Sequence, residues 1–261
     1  MCRLTWVLAC GSPLASMLTP DLSGRTALVT GSAKGLGEGF VLELARCGAD
    51  VAIHYNSSNE AAAAVVEAAR NTGVEATTLQ GDVTDPVAVD EMFGAVEAEL
   101  GSVDILVNNV GSFAPTHWEN IDWETWQTVI ETNFYGTVLC SRRALGLMRE
   151  LGWGRIINVG YASSEKGLVS PKNFPYFVAK AGVLMFTRML AADTQDAGVT
   201  ANAVSPYVVE NSDEFPRHAP RGRWAEYTDL TQAMLFCCDE GSDYSSGENI
   251  KVDGGWLPET V

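Results

Sequence analysis

The sequence has little of what builds a metal centre or a disulfide framework. Its three histidines, at 54, 117 and 218, lie far apart and lack the short spacings that chelate a metal from one helix or hairpin. Six cysteines are scattered at 2, 10, 47, 140, 237 and 238 without a CxxC pair, so the chain reads as reduced and cytoplasmic, with no metal ligands. Positive charge is also scarce. There are only five lysines (Lys34, Lys166, Lys172, Lys180 and Lys251), and 17 basic residues face 33 acidic ones for a net charge of −16. Such a field repels phosphate backbones and anionic lipid heads, so neither nucleic acid nor a membrane surface is expected as a partner. The acidity has two readings, adaptation to a high-salt cytoplasm or an arginine-for-lysine bias from a high-GC genome. No apolar run approaches the ~18 residues of a membrane span. The apolar stretch near the amino terminus is shorter than the ~7–15 residues of a secretory signal core. Residues 1–20 are therefore expected to be a disordered extension, with Met17 as an alternative start, and residues 21–261 a single domain.

What is present is a regular alternation. Short apolar runs at 25–30, 50–55, 75–80, 103–107, 155–159, 200–204 and 249–252 read as strands. Between them, segments with helical spacing or helix-start and helix-stop residues run at 35–47, 59–71, 86–100, 122–151, 176–196 and 226–238. Alternation without repeats or a polar linker predicts an α/β fold of the Rossmann type. It is a single-domain, doubly wound parallel sheet of about seven strands with helices on both faces.

Two motifs carry chemistry. Where the first strand meets the first helix stands Thr30-Gly31-Ser32-Ala33-Lys34-Gly35-Leu36-Gly37. Glycines there let backbone approach a pyrophosphate, and the helix N-terminus offers free N–H groups and partial positive charge. The spacing is G-x-x-x-G-x-G rather than G-x-G-x-x-G. The second strand ends in His54-Tyr55-Asn56-Ser57-Ser58, without the carboxylate that holds a ribose 2′-hydroxyl in NAD enzymes. With Lys34 inside the turn, NADP(H) is the expected cofactor and NAD(H) the alternative. Further on, Tyr176 and Lys180 stand four apart at a helix start, hence on one face. A neighbouring ammonium is expected to lower the phenol toward a working range for proton transfer.

Together with GDV at 81–83, NNVG at 108–111, TNFYG around Asn133, NAVSP at 202–206 and VDGG at 252–255, these motifs resemble the short-chain dehydrogenases/reductases. The resemblance is to the single-domain kind that includes 3-oxoacyl-carrier-protein reductases, and it runs from about residue 22 to 256. It implies Tyr176 as general acid, with Lys180 lowering its pKa and holding the nicotinamide ribose. Asn133 would disturb the long helix and anchor a proton-relaying water. Gly31, Ser32, Lys34, Gly35, Leu36 and Gly37 would cradle the pyrophosphate, Asn56 and Ser57 would meet the ribose 2′-position, and Asp82 and Val83 the adenine. Asn109, Val110 and Gly111 would line the cofactor, and the Pro206–Val209 backbone would face the nicotinamide amide.

The substrate side departs from that pattern. The family places a carbonyl-orienting serine after the fifth strand, thirteen residues before the tyrosine. Strand alignment puts Tyr161 there, whereas counting back from Tyr176 gives Ser163, which is the choice made here, with Ser164 as the neighbour. Tyr207 stands where the family has glycine, Asn211 replaces a threonine, and the lid segment 212–221 looks short. The expected activity is NADPH-dependent reduction of a ketone, with 3-oxoacyl thioesters as one substrate class. The alternatives are sugar or secondary-alcohol oxidation, or a catalytically weak NADP(H)-binding protein. The resemblance further implies a homotetramer or homodimer through helices 122–151 and 174–196, with Val138, Leu147, Val183 and Phe186 as spare apolar positions.

Overall fold

Strands buried on both faces are written as continuous apolar runs, and the sheet follows from them. In the computed structural model, which describes residues 18–256 apart from 168, 169, 211, 213, 214, 216 and 217, seven strands pair in parallel. They are β1 (Thr26–Val29), β2 (Asp50–Tyr55), β3 (Ala76–Gln80), β4 (Ile105–Asn108), β5 (Gly154–Val159), β6 (Val199–Pro206) and β7 (Asn249–Val252), in the order β3-β2-β1-β4-β5-β6-β7. The order reverses between β1 and β4. The crevice at the carboxyl ends of those two strands is where doubly wound sheets bind ligands.

Helices cover both faces because neighbouring strand residues point oppositely. Helices α1 (Gly35–Arg46), α2 (Asn59–Arg70) and α7 (Tyr227–Cys238) pack on one face, over Val29, Val51, Ile53, Ile105, Val107 and Ile157. On the other, α3 (Pro86–Glu99), α5 (Gly136–Leu151) and α6 (Phe174–Asp193) pack over Leu28, Ala52, Leu106 and Ile156. Helix α4 (Trp123–Ile130) continues into α5 through a π-helical turn, Glu131–Tyr135, with Asn133 at its centre.

The first described residue, Leu18, falls inside the segment expected to be an extension. Leu18 rests on the first core layer and its N–H donates to Gln232 Oε1 at 2.8 Å. The rest of the expected extension, residues 1–17, lies outside the described residues, as do Asn211 and part of the lid segment. Val183, counted as a spare surface position, is instead core, 1% exposed, while Met185 and Met189 form the outer face of α6. Among the described residues no helix is long and apolar enough to cross a membrane, and no cluster suits a metal ion.

Candidate active site

The glycine turn is held by side chains that bond to its backbone atoms. Thr30 Oγ1 accepts from the N–H groups of Asn109 and Val110 at 2.9 and 3.2 Å. Asn109 Nδ2 donates to the carbonyls of Thr30 and Gly31 at 3.0 and 3.2 Å, so this side chain braces the turn from β4. Gly31 has φ +66° and Gly35 φ +63°, conformations that favour glycine. A Cβ on Gly37 would overlap the Gly31 carbonyl oxygen and stand 2.6 Å from Asn109 Nδ2. Helix α1 starts at this cradle with no side-chain cap, leaving its first N–H groups to a ligand. The cradle therefore fits a dinucleotide pyrophosphate. Ser32 is turned inward, fully buried, donating to Val29 O at 2.7 Å, whereas Lys34 is exposed at the rim and Leu36 half-buried.

His54 was passed over in the sequence and proves central. Its Nδ1 accepts from the Gly31 N–H at 2.9 Å, so the proton sits on Nε2, which donates to Gly81 O at 3.1 Å. Its backbone exchanges bonds with Ser32, N to Oγ at 3.0 Å and O from the Ser32 N–H at 2.9 Å. The ring is 2% exposed, and burial lowers its pKa. One imidazole thus joins the phosphate turn to the loop that carries Asp82. The only available signal was a polar residue inside an apolar strand.

Around that turn the remaining cofactor-side residues spread out. Asn56 and Ser57 are exposed past β2, where no carboxylate stands. Asp82 accepts from the N–H and hydroxyl of Thr84 at 2.9 and 2.8 Å, and Val83 is buried against Gly136. Gly111 lies so close to Asn133 Oδ1 that no side chain fits. Asn133 is fully buried and its Nδ2 donates to Ser112 O and Val129 O at 2.8 and 2.9 Å. Its Oδ1 is buried against Gly111 with no hydrogen-bond partner among the described residues. Pro206 O accepts from the Ala162 N–H at 3.0 Å, and the Val209 N–H donates to Ser212 Oγ at 3.1 Å.

Tyr176 and Lys180 come together on the first turns of α6. Lys180 is 3% exposed, its Nζ donates to Val159 O at 2.7 Å, and the ammonium lies 5.6 Å from the Tyr176 ring centre. Burial pulls Lys180 down to about 8. The phenol does not follow the expected direction. Desolvation, with Tyr161 second, pushes Tyr176 above its ordinary value, because burial outweighs an ammonium anchored to β5. A buried network braces the strands beneath: Asn108 Nδ2 donates to Ser141 Oγ and Asn158 Oδ1 at 2.9 and 2.8 Å, and Asn158 Nδ2 donates to Thr187 Oγ1 at 2.9 Å.

The three positions weighed for the carbonyl-orienting hydroxyl separate clearly. Tyr161 is half-buried with its ring 5.6 Å from that of Tyr176. Ser163 is 3% exposed and hydrogen-bonds Tyr161, while Ser164 Oγ is buried with no partner among the described residues. Phe113 completes the cluster at 5.4 Å from Tyr176. It is held there by Asn173, which caps α6 in a left-handed conformation, φ +57°, and accepts from the Ala114 N–H at 3.0 Å.

This geometry agrees with what the chain is similar to. A family model described as enoyl-(acyl carrier protein) reductase matches residues 31–257. The chain belongs to the short-chain dehydrogenase/reductase family. As a member it is an NAD(P)-dependent oxidoreductase. The 3-oxoacyl-[acyl-carrier-protein] reductase FabG of Staphylococcus aureus (strain N315) is 34% identical over 242 residues, covering 88% of this chain and 97% of the relative. A gluconate 5-dehydrogenase from Burkholderia cenocepacia J2315, solved in complex with NADP and tartrate, superposes with a TM-score of 0.84 at 30% identity over 92% of this chain and 97% of that one. The landomycin C-6 ketoreductase LanV, solved with NADP and rabelomycin, gives a TM-score of 0.83 at 28% identity over 90% and 97%.

Proposed function

We propose that the chain is an NADPH-dependent ketone reductase. The observation that carries this reading is the pairing of half-buried Tyr176 with buried Lys180 at the carboxyl edge of the sheet, beside a cradle shaped for a dinucleotide. When bound there, the dinucleotide supplies the hydride. The protein's own residues do the rest. Tyr176 carries its proton at neutral pH, as any phenol does, and stands where it can give that proton to a carbonyl oxygen as negative charge develops. Lys180 anchors the site's floor through Val159 and holds the ribose hydroxyls. Asn133 Oδ1 offers an acceptor to a water on the proton path. Tyr161, whose ring packs against that of Tyr176, and Ser163, which hydrogen-bonds Tyr161, are the hydroxyls available to orient the carbonyl. Asn56, Ser57 and Lys34 favour a 2′-phosphate because none repels it.

Tyr176→Phe tests the assignment. Turnover should fall at least ~1000-fold while NADPH affinity holds within a factor of two, since only the proton donor is removed. Equal turnover by the variant would remove Tyr176 from the chemistry. The panel pairs NADPH with NADH against 3-oxoacyl thioesters, after the staphylococcal relative, and polycyclic ketones, after the landomycin enzyme. Similarity to a gluconate 5-dehydrogenase favours a second reading, alcohol oxidation through the same residues, and the panel run with NADP⁺ and polyols decides it. The four described cysteines are free and buried, in keeping with a reduced cytoplasmic protein. Exposed Tyr135, Val178, Met185 and Met189 on and beside α6 support a homo-oligomer, to be read by light scattering.

A further inference from the structure

Aromatic rings gather around Tyr176 beyond what a proton donor requires. Tyr161 packs edge-on against Tyr176 and against Phe177, 5.6 Å between centres in each case. Phe113 meets Tyr176 edge-on at 5.4 Å while 56% exposed, so much of its ring is open to solvent rather than packed in the core. Just past β6 and β7, Tyr207 and Trp256 stack 4.0 Å apart at 17°, forming a flat slab. Tyr207 also lines a cavity of about 390 Å³ shared with Trp224, Arg221 and Arg223. The Ala162 N–H donates to Pro206 O at 3.0 Å, so the chain segments that carry Tyr161 and Tyr207 leave the paired ends of β5 and β6 side by side. Two of these rings, Tyr161 and Tyr207, replace small residues of the family pattern. A cavity of this size is within the range of small-molecule pockets.

We propose that the substrate is an aryl ketone, its carbonyl at Tyr176 and its fused or conjugated ring held between the Phe113–Tyr161 edges and the Tyr207–Trp256 slab. This deepens the reductase reading and rests on it. Ring faces and edges give a planar π-system offset-stacked or edge-on partners, and each such pair is worth roughly two- to tenfold beyond the area it buries. A linear acyl chain gains only the area. Two such contacts make a preference of about tenfold or more.

The test compares 1-tetralone with the N-acetylcysteamine thioester of 3-oxodecanoate, following NADPH oxidation, and measures 1-tetralone binding to the NADP⁺-loaded protein by calorimetry. The expected result is a kcat/KM ratio of at least ten in favour of the aryl ketone. Tyr207→Gly and Phe113→Leu should each lower that ratio about tenfold through KM, while Tyr207→Phe keeps it. A parent ratio of one or less, or ratios unmoved in Tyr207→Gly and Phe113→Leu, overturns the aromatic assignment and leaves the reductase reading standing. Absence of turnover on both ketones overturns the reductase reading. Calorimetry then decides the aromatic site alone, tight 1-tetralone binding lost in Tyr207→Gly supporting it and no measurable binding by the parent overturning it.

Discussion

The cofactor side and the substrate side of this crevice are built by different means. On the cofactor side, Thr30, Gly31, Ser32, His54 and Asn109 form a connected set of hydrogen bonds, each of which ties a side chain to a backbone group. On the substrate side, Phe113, Tyr161, Tyr176 and Phe177 meet ring against ring, and buried polar atoms such as Ser164 Oγ and Asn173 Nδ2 have no partner among the described residues. A backbone cradle tolerates almost no added atom and barely depends on which ligand variant it meets. A wall of side chains is remade by single substitutions. The difference puts the rigid cofactor cradle on one side and the source of selectivity on the other.

The sharpest break of this comparison is Gly37→Val. Its Cβ would overlap the Gly31 carbonyl, and no side chain can move aside because the obstacle is backbone. NADPH affinity should fall at least ~100-fold by fluorescence titration, more than 2.7 kcal/mol. Gly146→Ala is the control, since nothing lies within 4 Å of its added Cβ, and it should bind as the parent does.

Lys180 belongs to both sides, and its titration sharpens where they join. Burial lowers it to about 8, so the ammonium predominates below that pH and is lost above it. If the charged form holds the ribose, kcat/KM for NADPH is flat below about pH 8 and declines roughly tenfold per unit above it. Lys180→Arg, whose guanidinium stays charged, should be slower throughout but lose that descending limb. A limb unchanged in Lys180→Arg would assign it to another group.

Much of the cofactor side was legible in the sequence because its requirements are local. A turn that must pass close to a pyrophosphate is written in glycines, and strands buried on both faces are written as unbroken apolar runs. The π-helical turn at Asn133 falls inside a segment whose pattern is helical throughout, since a one-residue change of hydrogen-bond step leaves no mark on apolar spacing. His54 was illegible for another reason: its partners Gly31 and Gly81 are 23 and 27 residues away and meet it only when β2 pairs in the sheet. The direction of the Tyr176 shift was misjudged because the i, i+4 spacing shows a lysine nearby but not how deeply both are buried. Val183 looked like surface for the same lack of tertiary information.

His54→Leu asks how far the connected set depends on one ring. It takes this partner from the part-buried Gly31 N–H and Gly81 O, at about 1–3 kcal/mol for each where water does not replace it. NADPH affinity should fall about tenfold with little change in ketone KM, separating the two sides by kinetics. The parent should also lose cofactor affinity on acidification through the lowered His54 pKa. A proton added to Nδ1 would then oppose the Gly31 N–H, and Asp82, the charged group nearest the ring, only partly offsets burial.

The smallest expected effect lies at Asn173, where the substrate side borrows the methods of the other. Its left-handed backbone and its bond to the Ala114 N–H together hold the Phe113 loop against α6. Asn173→Gly keeps the backbone conformation and loses the bond, at about 1 kcal/mol. Asn173→Ala loses the bond and adds roughly 1 kcal/mol of left-handed strain. Chemical denaturation should rank parent, glycine and alanine in that order. Both variants should raise KM for a ketone that touches Phe113 by a similar small factor, because the loop's freedom, not the strain, is what the substrate meets. If alanine and glycine are equally stable, the left-handed turn stores no strain, and the loop is held by its side-chain bond alone.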